Sequence, residues 1–186
     1  AVDKLPRGRG FGDPIRLSID LGNEDDILAC LLHTPVPEGA PADGGRRLLL
    51  ASTEGNGFQV AESEVLASTR AGRQIMVLGE GGKARACLPT AGDHVAVLSE
   101  SRKLLVFPLE QVPAMSKGRG VILQKYKTGG LLKEGLADIA VFALKDGLAV
   151  EGGGRRQVFD VKDWIGNRAG QGSTVPKGWP RVAKLR

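Results

Sequence analysis

A short phrase of glycine beside a cation returns along this chain: Arg7-Gly8-Arg9-Gly10, Arg70-Ala71-Gly72-Arg73, Lys117-Gly118-Arg119-Gly120 and Asn167-Arg168-Ala169-Gly170. Between Gly8, Gly72, Gly118 and Gly170 the intervals are 64, 46 and 52 residues. A period near fifty is the mark of a propeller-like array, whose units bury their apolar faces only by stacking on one another. It argues against a single irregular domain and predicts cations at equivalent points of successive units.

The apolar runs between these phrases are short, rich in β-branched residues and bounded by turn residues, so they read as strands. They are Arg47 to Ala51, Gly57 to Val60, Gln74 to Leu78, His94 to Leu98, Lys103 to Pro108, Val121 to Gln124, Ile139 to Leu144, Gly147 to Val150 and Gln157 to Val161. Glu54-Gly55-Asn56-Gly57, Lys145-Asp146-Gly147 and Gly152-Gly153-Gly154 predict hairpin connections, because glycine takes positive φ at no steric cost. Each strand pair is followed by mixed residues with the look of one helical turn, at Ala61 to Thr69, Leu109 to Ser116 and Lys162 to Asn167. The segment His33 to Gly45, dense in Pro and Gly, lengthens the first interval and reads as an inserted loop at 33–45. The whole of 1–186 is expected to be one all-β domain of small antiparallel sheets.

Aromatic residues make up 4% of the chain and glycine 27 of its 186 residues, so the core must be aliphatic and the turns many. The formal charge of +5 is unevenly spread. Residues 1–100 carry 10 Lys/Arg against 14 Asp/Glu, and residues 101–186 carry 16 against 7, which makes the second half the cationic one. Cys30 and Cys87 lie far apart with no CxxC, so buried reduced thiols fit better than a disulfide framework or metal site. Asp20, Glu24, Asp25 and Asp26 lack a calcium-loop frame and read as a solvated acidic loop. No apolar run approaches the roughly 18 residues of a membrane span, and the polar N-terminus is no secretory signal. A start at Ala1, inside a repeat unit, points to a piece of a longer polypeptide.

Taken together, Leu5-Pro-Arg-Gly-Arg-Gly-Phe-Gly-Asp-Pro14, the Leu48 to Phe58 run with its Thr-Glu-Gly-Asn-Gly turn, Thr69-Arg-Ala-Gly-Arg73, Leu105-Val-Phe-Pro-Leu109 with Met115-Ser-Lys-Gly-Arg-Gly120, and Gly170-Gln-Gly-Ser-Thr-Val-Pro-Lys-Gly178 carry a family resemblance. They resemble the C-terminal regions of the A subunits of bacterial type IIA topoisomerases, more closely the topoisomerase IV branch than gyrase. The resemblance implies a β-pinwheel of four-stranded antiparallel blades with strands exchanged between neighbours, here a partial or open ring of about three to four blades. It implies a non-catalytic domain that binds and bends duplex DNA on a basic outer rim, presenting the transport segment for decatenation and supercoil relaxation. The partners implied are duplex DNA and, in a heterotetramer, the remaining domains of the same polypeptide and the separate ATPase chain, in the bacterial cytoplasm and associated with the nucleoid. No cofactor is expected in this domain; ATP and Mg would be bound elsewhere in the parent enzyme. The seven-residue gyrase box Gln-Arg-Arg-Gly-Gly-Lys-Gly has no full match, its nearest strings being Met115 to Gly120 and Leu5 to Gly10. That departure favours selection of DNA geometry over tight wrapping.

Phosphates on a duplex are neutralised by Lys and Arg with release of counterions, and neighbouring glycines expose backbone N–H groups to phosphate oxygens. The expected contacts are therefore Arg7, Arg9, Arg70, Arg73, Lys117, Arg119 and Arg168 in the Gly-base loops. Lys125 and Lys127, alternating with Tyr126 along a strand, and Lys177 and Arg181, flanking Gly178-Trp179-Pro180, extend the set. Arg155 and Arg156 fit a charged hairpin tip as well as a DNA contact. The family's cleaving tyrosine belongs to another domain, so Tyr126 is expected to be an ordinary strand residue. No P-loop, HExxH or nucleophile with a paired base is present. A propeller docking a protein partner, by the 33–45 loop or the acidic first half, is the alternative reading.

Overall fold

The computed structural model describes residues 14, 19–33, 35, 45–126, 134–181 and 183–186. Each sheet grows from a tight hairpin. The first joins β1 (Arg47–Ser52) to β2 (Asn56–Ala61), the second β4 (His94–Ser99) to β5 (Lys103–Pro108), and the third β8 (Leu148–Gly152) to β9 (Arg155–Phe159). Three-residue loops close the first two, with the last residue in the left-handed region: Gly55 at φ 80 and Arg102 at φ 62. Buried Ser52 and Ser99 sit at matching places and accept the N–H of Asn56 and of Lys103. Left-handed backbone costs a non-glycine residue about 1–2 kcal/mol. Arg102 offsets this by donating Nη1 to the carbonyls of Pro180 at 3.0 Å and Arg181 at 2.8 Å.

Around these hairpins the chain exchanges strands. β3 (Ala84–Pro89), β7 (Leu136–Phe142) and β11 (Lys184–Leu185) pair with β1, β4 and β8 respectively. The opposite edges of the first two sheets are closed by segments from beyond the next hairpin. β6 (Val121–Ile122), which follows β5, pairs with β2, and β10 (Ser173–Thr174), which follows β9, pairs with β5. The sheets therefore read β3-β1-β2-β6, β7-β4-β5-β10 and β11-β8-β9. All these ladders are antiparallel, and among the described residues no barrel closes. Because β7 packs against both β3 and β11, these edge strands converge on a common inner side and leave β6, β10 and β9 on the outer one.

The apolar runs are nearly continuous because the middle strands are covered on both faces. Val95, Val97, Leu105 and Phe107 point toward Leu49 and Ala51 of the first sheet and toward Leu123 just after β6. Their alternates Ala96, Leu98, Leu104 and Val106 point toward Leu148, Val150 and Leu185 of the third and toward Trp179 in the turn before β11. Period-two alternation thus sends one strand's side chains into two cores. On the far face of the first sheet, Leu48, Phe58 and Val60 are covered by Val65, Ile75, Met76 and Met115.

The three predicted helical turns are present as α1 (Glu62–Val65) and the 3-10 turns Leu109–Gln111 and Lys162–Trp164. Other expectations need correction. Gln74 to Leu78 forms no strand, only a parallel bridge from Met76 to Gly118. Lys145 to Gly147 ends a 3-10 turn between sheets instead of closing a hairpin, because β7 belongs to β4. β3, β10 and β11 lie outside the runs read as strands. Cys87 is half-buried but Cys30 is exposed, since the described 19–33 segment forms no strand; both thiols are free. Asp20, Glu24, Asp25 and Asp26 are exposed, Asp25 closing a turn by accepting the Gly22 N–H at 3.0 Å. Most of the 33–45 loop lies outside the described residues. Among the described residues no helix is long and apolar enough to cross a membrane.

Candidate nucleic-acid interface

The outer strands fix where the Gly-base phrases fall. Val121 pairs with Gly57 and Ser173 with Leu104, so Gly118 and Gly120 are structurally equivalent to Gly170 and Gly172. Gly120 at φ 79 and Gly172 at φ 73 share the conformation, and a Cβ there would lie 2.4 Å from the Gly57 carbonyl oxygen or 2.6 Å from that of Leu104. Glycine is required for the loop to approach its sheet this closely.

Successive loops are then stitched side by side. Gly118 donates its N–H to the Ile75 carbonyl at 3.0 Å and accepts the Val77 N–H at 2.9 Å. Fifty-two residues on, Gly170 accepts the Lys125 N–H at 2.9 Å, and the Ala169 N–H reaches the Leu123 carbonyl at 2.9 Å. Each loop is laid against the segment leaving the previous one, so 70–77, 118–125 and 168–172 form one continuous outer row.

The cations in that row are not equivalent in their surroundings. Lys117 and Lys125 are exposed, with no ion-pair partner among the described residues. Arg70, Arg73 and Arg119 each stand near a carboxylate: Asp20 at 3.8 Å, Glu64 at 3.7 Å and Glu54 at 3.3 Å. The Arg70 and Arg73 pairs are exposed and worth only about 0–1 kcal/mol, whereas Glu54 is largely buried and also accepts the Gly79 N–H at 3.2 Å; each carboxylate subtracts from the local positive field. Arg168 is half-buried and directed inward. It donates Nε to the Gln111 carbonyl at 2.8 Å and Nη1 to that of Ile122 at 2.7 Å, and its backbone N–H goes to Gln111 Oε1. The equivalence of Gly118 with Gly170 also corrects the sequence alignment of cations: Arg168 matches Ser116, and Arg119 matches Gln171.

Lys177 and Arg181 are exposed beside the Gly178 turn, where Trp179 is buried against Phe159 at a ring-centroid distance of 4.8 Å. Arg7, Arg9 and Lys127 lie outside the described residues. Lys125 and Tyr126 follow β6 and are not strand residues, so the expected alternation of Lys125 and Lys127 on a strand does not apply. The Tyr126 ring packs on the Gly55 corner, and its buried hydroxyl has no hydrogen-bond partner among the described residues. Burial, aided by the Glu134 and Glu100 charges, pushes its phenol well above the ordinary range. No sequence signal places Lys184 across Glu151 from Arg156, because strand exchange alone brings β11 next to β8 of that hairpin.

A family model described as the DNA gyrase C-terminal domain, beta-propeller, matches residues 46–91 and 93–133. The A subunit of DNA topoisomerase 4 from Rickettsia bellii is 41% identical over 97% of this chain, and that from Caulobacter vibrioides is 39% identical over 99%. The chain belongs to the C-terminal domain family of gyrase and topoisomerase IV A subunits. Within that family, the solved C-terminal domain of Escherichia coli ParC shares the fold, with a TM-score of 0.77 at 22% identity over 98% of this chain and 73% of that one. A DNA gyrase A C-terminal domain gives a TM-score of 0.59 at 14% identity, over 76% of this chain and 49% of that one. The chain spans under a quarter of the length of its curated topoisomerase 4 relatives, 23% and 22% for the two named here. As members of this family do, it folds as an open β-pinwheel of antiparallel sheets, the architecture the resemblance implied.

Proposed function

We propose that this domain binds and bends duplex DNA without catalysing its cleavage, as the C-terminal part of a topoisomerase IV polypeptide that presents the transport segment to catalytic domains elsewhere. The observation that carries this reading is the continuous outer row of Gly loops, stitched through Gly118 and Gly170, with Lys117 and Lys125 exposed along it. Phosphate contact by such cations gives affinity without sequence preference. Bending 20–30 base pairs costs on the order of 1–6 kcal/mol, so contacts on several successive units are required to offset it. Tyr126 takes no part in cleavage on this reading, since its hydroxyl is buried. ATP and Mg serve the parent enzyme outside this domain, whose working partners are the remaining domains of the same polypeptide and the separate ATPase chain in the bacterial cytoplasm.

The test is a salt titration of duplex binding by the wild type and by Lys117→Glu/Lys125→Glu. The wild type is expected to show a steep negative log-log slope, and the double variant to lose roughly 0.9 of slope per contact removed. Absence of binding at low salt, or a slope unchanged in the variant, would replace this reading with the protein-docking one.

A further inference from the structure

The three carboxylates beside arginines of the outer row differ in how they are held. The Asp20 and Glu64 side chains are 64% and 47% exposed, that of Glu54 only 14%. A carboxylate is buried only where hydrogen bonds and opposite charge hold it. Glu54 stands at the corner between β1 and β2 and accepts the Gly79 N–H at 3.2 Å and Arg119 Nη2 at 3.3 Å. The turn from Gly79 to Gly82, closed by the Gly82 N–H on the Gly79 carbonyl at 3.0 Å, wraps around it. Thr53 pins the end of that turn, taking the Lys83 N–H on Oγ1 at 3.0 Å and giving its own N–H to the Lys83 carbonyl at 2.8 Å. A Cβ on Gly79 would lie 2.7 Å from Glu54 Oε1, and one on Gly82 2.9 Å from Oε2. Neither glycine has left-handed backbone, so what they supply is room for the carboxylate.

The next unit shows that this carboxylate goes with its arginine. The corners Ser52-Thr53-Glu54-Gly55 and Ser99-Glu100-Ser101-Arg102 correspond through their buried serines, which sets Ser101 in the place of Glu54. The matched outer loops set Gln171 in the place of Arg119. Where the cation is absent, the carboxylate is absent too. Arg119 itself is 57% exposed, and among the described residues its guanidinium is hydrogen-bonded only through Nη2. Anchoring one nitrogen of a planar fork fixes the plane of the other two.

We propose that Glu54 is a positioning residue of the outer row: walled in by the Gly79 to Gly82 turn, it holds Arg119 by Nη2 and leaves Nε and Nη1 set for a phosphate oxygen. The inference rests on the DNA-binding reading and deepens it. Its consequence runs against charge counting, because a negative charge in the row raises affinity for a polyanion. An arginine released from its support must be ordered when it meets phosphate, a loss equivalent to about 2- to 12-fold in affinity. Removing the carboxylate strengthens the positive field, but at 0.15 M salt that gain is screened over about 8 Å.

The experiment measures duplex binding by the full-length polypeptide in wild type, Glu54→Gln, Gly82→Ala and Arg119→Gln, and in each of the first two substitutions combined with Arg119→Gln. Glu54→Gln keeps an acceptor for the Gly79 N–H and removes the charge; Gly82→Ala keeps the charge and displaces the carboxylate. Each is expected to weaken binding about 2- to 12-fold at 0.15 M salt. Arg119→Gln should lose about 0.9 of log-log slope, and on that background neither substitution should weaken binding further. Thermal melting identifies the folded variants, and Gly82→Ala carries the test if Glu54→Gln does not fold. Binding by Glu54→Gln as tight as wild type or tighter would overturn the proposal. So would an Arg119→Gln variant that binds as wild type, or a loss that persists undiminished without Arg119. In those cases a weak Lys117→Glu/Lys125→Glu variant leaves the DNA-binding reading standing, whereas both fall if wild type does not bind at low salt.

Discussion

Arg168 donates Nη1 to the carbonyl of Ile122 at 2.7 Å, joining a loop that precedes the outer strand of the second sheet to the outer strand of the first. The same guanidinium holds the Gln111 carbonyl, so one side chain stitches three chain segments. The cation that the repeat marks as a phosphate ligand is in this fold a staple between blades.

Arg168→Ala is therefore expected to lower stability by about 1–3 kcal/mol, the cost of leaving half-buried carbonyls unpaired, with no more than a modest loss of DNA affinity. Arg168→Lys should recover little, since one ammonium cannot reach both carbonyls. Denaturant unfolding, with the salt slope measured in parallel, checks both halves; a large slope loss at unchanged stability would contradict the assignment.

Phe107→Ala should cost about 3–5 kcal/mol. The ring is fully buried between the first two sheets among Leu49, Val95 and Val112. The third sheet packs against the alternate face of β5, so its own core should survive longer on heating. Hydrogen exchange resolved by segment would show whether the Val150 and Trp179 region outlasts the Leu49 region.

At Gly120 the backbone is left-handed and the Gly57 carbonyl lies where a side chain would begin. Gly120→Ala is expected to destabilise by at least about 1–2 kcal/mol and to weaken duplex binding by shifting the Lys117 loop. Gly172→Ala should behave alike because its surroundings repeat. Melting at the wild-type temperature in one variant but not the other would refute the equivalence drawn between these loops, and in both would refute the need for glycine at this close approach.

Glu62, buried at the start of α1, accepts hydrogen bonds from Arg46 Nε at 3.0 Å and Nη2 at 2.5 Å, and lies 3.2 Å from His33 Nδ1. The Arg46 hydrogen bonds hold its carboxyl below the usual range, with His33 adding to the effect. A depressed folded pKa gives stability that is present above the unfolded carboxyl pKa and lost as pH falls through the folded value. Unfolding midpoints measured from neutral pH downward should fall below about pH 4.5 more steeply in wild type than in Glu62→Gln, which starts lower.

Sequence patterning makes the hairpin strands legible: Lys103 to Pro108 is an unbroken apolar run because both its faces are covered, and the glycine tips mark the turns. β3 is hidden because Lys83 and Arg85 interrupt its outer end, where the Arg85 guanidinium reaches the Ala137 carbonyl of β7. β10 and β11 are two residues long and carry no periodicity to detect. Gln74 to Leu78 reads as a strand since Ile75 and Met76 are apolar, yet they serve to cover Phe58 and Val60. The Gly118 to Gly170 spacing locates the outer row correctly. What it cannot reveal is which cations have neighbours, because Arg119 and Glu54 are 65 positions apart and meet only after strand exchange.

The donation of β6 and β10 across to earlier hairpins also governs how such a molecule can be cut and rejoined. A unit excised at its hairpin boundaries would carry away its neighbour's closing strand and leave its own behind. Removing one sheet without fraying the next requires staggered cuts, so gain or loss of units by recombination is confined to breakpoints offset from the visible repeat.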